Sequence, residues 1–65
     1  MRYLPETLRA SYEWVSSADE IDTLRAMTEA DADAYAADAA RNAAEHDVSD
    51  VTEADICALW RWLQR

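Results

Sequence analysis

Sixty-five residues allow one domain, spanning residues 1–65, near the size at which a lone chain struggles to bury enough surface to fold. The balance is acidic, with 14 Asp and Glu against 6 Arg and no Lys for a formal charge of −8, which repels phosphate backbones unless the arginines gather on one face. One cysteine excludes an internal disulfide, and no apolar run approaches the roughly 18 residues of a membrane span.

The start of the chain lacks the continuous apolar core of a signal peptide, so a cytoplasmic setting is expected. Hydrophobic residues make up 51%, but 14 of them are alanine, each contributing only about one methyl's worth of transfer free energy. Small chains in this position add a disulfide, a metal or a partner chain. With Cys57 alone and no cluster of His and Cys ligands, a partner chain is the expected choice, with no metal and no cofactor.

There is no glycine, and the single proline is Pro5, so tight hairpins are poorly served and helix is the expected state throughout. Pro5 suits the first turn of a helix, and Leu4, Leu8, Tyr12 and Val15 recur at helical spacing; the first helix is expected at about residues 5–14. Ser17, Ala18, Asp19 and Glu20 form a capping-box pattern. From there no Gly or Pro interrupts the chain, predicting one long helix over about 18–46. Its expected inward stripe is Leu24, Met27, Ala30, Ala34, Ala37 and Ala44, with Ile21 and Tyr35 beside it. The alternative is a break at the cap-like string Thr28, Glu29, Ala30, Asp31; the absence of Gly and Pro favours continuity. On the opposite face Asp38, Arg41 and Glu45 can pair along the helix. Thr52 then caps a last helix at about 53–64, with Ile56, Leu59, Trp60 and Leu63 as the strongest apolar stripe.

A short helix, a long helix and a short helix joined by brief loops resemble the histone fold. The residues carry the likeness further. Ala43, Ala44, Glu45 and His46, then Val51, Asp55, Ile56 and Leu59, are similar to the end of the central helix and the start of the third helix of archaeal histones. Glu13, Trp14, Val15 and Ser16 resemble that family's first-loop string, and Leu4 and Pro5 its beginning. The resemblance implies an all-α handshake dimer in which two long helices cross, formed with an identical chain or a related histone-fold chain. The implied dimer interface is Leu8, Tyr12, Leu24, Met27, Ala34, Ala37, Ile56, Leu59, Trp60 and Leu63, and Asp55 is implied as a structural residue. The family's phosphate-gripping loop string is replaced by Val48, Ser49 and Asp50, its first-loop arginine by Trp14, and the arginine partner of Asp55 by Val48.

These departures point to an acidic dimerisation subunit, associated with chromatin or transcription, that contacts proteins and binds DNA weakly or not at all. Trp14 and Trp62 are the candidate partner surface, and Trp60 is expected in the core. Two alternatives remain open: a nucleoid protein that binds DNA at high salt through Arg2, Arg9 and Arg25, and an acidic DNA mimic that occupies another protein's basic groove. Molar salt shortens the Debye length to about 3 Å and would weaken the acidic repulsion. Catalysis is not expected, because no spacing sets a nucleophile beside a base. His46 is expected as a helix-end residue, Cys57 as a small buried hydrophobe, and Tyr3 and Tyr12 as packing residues.

Overall fold

In the computed structural model, residues 3–64 are described, and all regular structure among them is helical. A single 3-10 turn, Glu6–Leu8, leads into α1 (Arg9–Ser17); α2 (Ile21–Ala26), α3 (Glu29–Glu45) and α4 (Glu53–Leu63) follow. Thr52 caps α4 as its sequence implies, its Oγ1 accepting from the Asp55 amide at 3.2 Å, with Glu53 and Asp55 in the positive first turn.

The single helix expected over 18–46 is instead two. At Met27 and Thr28 the backbone is extended, with ψ of 152° and 167°, and the Thr28 hydroxyl accepts from the Asp31 amide at 3.2 Å to start α3 afresh. The break opens the last carbonyls of α2, which must find other donors. Trp60 of α4 and Gln64, the residue just past its end, supply them: Trp60 Nε1 donates to Met27 O at 3.0 Å and Gln64 Nε2 to Arg25 O at 2.8 Å. At six residues α2 is too short to persist alone; fully buried Leu24 and these two bonds hold it.

The capping box expected at Ser17 does not form. Ser17 is the last residue of α1 and its hydroxyl donates back to Trp14 O at 2.8 Å. Past it, Asp19 takes φ 58°, and the Glu20 and Asp19 amides donate to Val15 O and Ser16 O. The end of α3 repeats the device: Asp47 takes φ 60°, and the Val48 and Asp47 amides donate to Ala43 O and Ala44 O. This six-to-one, five-to-two pairing is the usual glycine terminator of a helix. In a chain without glycine, aspartate fills the left-handed position, being one of the few residues that tolerates it.

The break also resets the helical phase, so the inward face of α3 is Ala32, Ala36, Ala39 and Ala43. The expected stripe of Ala30, Ala34, Ala37 and Ala44 is exposed. Small side chains on α3 let α4 approach with Ile56, Leu59 and Leu63, the main packing of the molecule. Val15 and Leu24 close the core from α1 and α2. Ser11 is also fully buried, with no hydrogen-bond partner for its Oγ among the described residues. The radius of gyration is 10.7 Å, about the 11 Å expected of one compact chain of this length.

Candidate functional site

Most residues expected to face a second copy are covered within one chain. Leu24, Ile56 and Leu59 are fully buried, and Leu8 and Leu63 are 6% exposed. Tyr12, Met27 and Trp60 are half-buried, while Ala34 and Ala37 lie on the solvent face of α3. Val15, Leu24, Ile56, Leu59 and Leu63 pack on one another within the single chain.

The candidate DNA contacts do not form a basic face among the described residues. Arg2 lies outside them, Arg9 is exposed without an ion pair, and Arg25 is engaged by Asp22 at 3.2 Å. Asp55 is half-buried and serves the start of α4 through its amide. Tyr3 is 81% exposed rather than packed, although its carbonyl accepts from Trp62 Nε1 at 3.1 Å. Trp62 is half-buried and meets the Tyr12 ring edge-on at 6.4 Å; with Pro5, Leu8, Ala58 and Arg61 it lines a shallow cavity of about 250 Å³. Cys57 is only partly covered and donates to Asp33 Oδ1 at 3.3 Å. That burial, followed by the bond to Asp33 and the charges of Asp33 and Glu53, pushes the thiol upward against the opposing pull of Arg61.

The larger cavity, about 500 Å³, is an open groove between the end of α1, the turn that follows it and the middle of α3. Trp14 forms one wall. Its indole is backed by the His46 ring, centroids 5.8 Å apart, and His46 is itself fixed by Nδ1–H donating to Asn42 O at 2.8 Å. Opposite, the Tyr35 hydroxyl donates to Glu20 Oε1 at 2.9 Å, tying the turn before α2 to α3. Burial, that bond and the Glu20 charge hold the Tyr35 hydroxyl protonated well above the ordinary tyrosine range, so it stays a donor. Asp38 and Asn42 complete the rim with Ser17, and no basic side chain lines it. Asp38 binds Arg41 from the solvent side at 2.7 Å.

Sequence reasoning singled out Trp14 here but missed its companions. Tyr35, Asp38 and Asn42 do stand at i, i+3 and i+7, a signal that lines one helix face once α3 is started at Thr28. Glu20 carried no such signal, because its partner is 15 residues away. Among the described residues no helix is long and apolar enough to cross a membrane, and no group of three or more His, Cys, Asp or Glu gathers as a metal-holding cluster. Compared with protein-family models, with curated proteins and with solved structures, the chain matches none.

Proposed function

We propose that this chain is an acidic protein-interaction module, not a catalyst, that meets a partner bearing a basic surface. The observation that carries the reading is a closed core dressed in carboxylates. Every Asp and Glu is exposed except Glu20 and Asp55, which are half-buried. Two of the six arginines, Arg25 and Arg41, are already paired with acids. Such a surface steers basic partners inward and duplex DNA away.

A histone-type handshake dimer is the second reading, favoured by the Thr52-capped start of α4 with Asp55 and Ile56 in the expected places. It requires one continuous central helix over about residues 18–46. Straightening the chain at Met27 and Thr28 gives up the bonds from Trp60 and Gln64 and draws Leu24 from the core. DNA binding through Arg9 and Arg25 is weaker still, because the net charge is −8 and no basic face gathers among the described residues.

Light scattering joined to two titrations tests the proposal. A single-copy mass, saturable binding of a basic protein such as protamine and no binding of duplex DNA at low or high salt are expected. A dimer at micromolar concentration restores the handshake; affinity for duplex DNA with none for protamine overturns the proposal.

A further inference from the structure

Resting on the reading of the chain as an acidic interaction module, we propose that the groove between α1 and α3 seats the guanidinium group of an arginine side chain presented by a basic segment of the partner protein. The cavity, about 500 Å³, falls in the size class of small-ligand sites, roughly 300–1,000 Å³. Its two aromatic walls, Trp14 and Tyr35, are the kind of surface on which a flat cation stacks, and indole is the strongest of them.

The polar groups of the groove are mostly acceptors. The Tyr35 hydroxyl is spent on Glu20 Oε1 and the Ser17 hydroxyl on Trp14 O, so neither donor is free for a ligand. The second carboxylate oxygen of Glu20 carries no hydrogen bond, and Asp38, held at one oxygen by Arg41, brings a second carboxylate to the lining. Guanidinium brings several N–H donors in a rigid fork and no acceptor, which matches carboxylates held beside π faces. An ammonium ion has the charge without the plane or the fork.

The rim already holds one guanidinium. Arg41 binds Asp38 at 2.7 Å with both side chains about 70% exposed. A pair so open to water is held weakly and exchanges readily, so Asp38 can pass from Arg41 to an arginine arriving from outside. Trp14 does not have to be ordered on binding, because His46 backs it in the free chain; a wall set in advance lowers the entropic cost of association.

The test is an NMR titration of the isotope-labelled chain with two capped peptides, identical except that one carries arginines where the other carries lysines. Saturable shifts centred on the Trp14 indole, Glu20, Tyr35 and Asp38 are expected, with the arginine peptide several-fold tighter. Glu20→Gln keeps the bond from Tyr35 but removes the charge, and should weaken binding about tenfold, the size of one charge-assisted hydrogen bond. Trp14→Phe keeps a smaller π face and should weaken it about threefold. Glu6→Gln removes an exposed carboxylate outside the groove and should change affinity less than twofold. Thermal unfolding of each variant shows that it is folded, and Glu20→Gln alone suffices if Trp14→Phe is not. Shifts spread over the whole acidic surface, equal affinity for both peptides, or unchanged binding by Glu20→Gln would each overturn the groove while leaving the interaction module standing. No binding of either peptide at low salt would overturn both.

Discussion

Two joints flank α2 and are built in opposite ways. At Asp19 the chain turns on its own backbone: a left-handed residue and two amides returning to Val15 and Ser16 complete the bend within five residues of sequence. At Met27 and Thr28 the turn is completed from the far end of the sequence, by the indole of Trp60 in α4 and the side-chain amide of Gln64 just past it. The first joint therefore survives wherever α1 survives. The second exists only while α4 is docked, and its stability belongs to the tertiary fold rather than to the segment that bends.

That contrast can be broken most strongly at Leu24, which pins the segment between the joints. Leu24→Ala should cost about 3 kcal/mol in urea unfolding and lower helical content by the loss of α2; an effect below about 1 kcal/mol would mean that α2 hangs on its joints alone. Trp60→Phe comes next, leaving the Met27 carbonyl without its donor at a cost of about 1–2 kcal/mol. Amide exchange in α2 should rise in this variant while α1 keeps its protection. The smallest effect is expected at the first joint. Asp19→Gly relieves a left-handed aspartate and should raise stability by about 0.5 kcal/mol, part of the gain being offset by the entropy of glycine in the unfolded chain. A loss of stability there would show that the Asp19 side chain, and not only its backbone angle, shapes the bend.

The same division explains what could be read from the amino acids. The start of α4 was legible because Thr52, Asp55 and the stripe of Ile56, Leu59 and Leu63 are neighbours in sequence and in space. The break at Thr28 was visible as a cap-like string, yet without Gly or Pro nothing local decided it; the deciding partners stand 33 and 39 residues away. From that one choice followed the wrong alanine face on α3, because phase carried through an extended pair of residues has no meaning. The groove was half legible. Trp14 stood out as a large aromatic at a loop, whereas Tyr35 meets Glu20 only after the chain has bent twice. Nor did spacing announce that Ser11 is fully buried, since a small hydroxyl in α1 looks like any solvent-facing position.

One hydrogen atom reports on all of this. The indole proton of Trp60 is held by the Met27 carbonyl at the kink between α2 and α3, and it is released to solvent only when that kink lets go. Its rate of exchange with deuterium thus clocks a single opening event, in the free molecule and under any partner, without a label or a substitution.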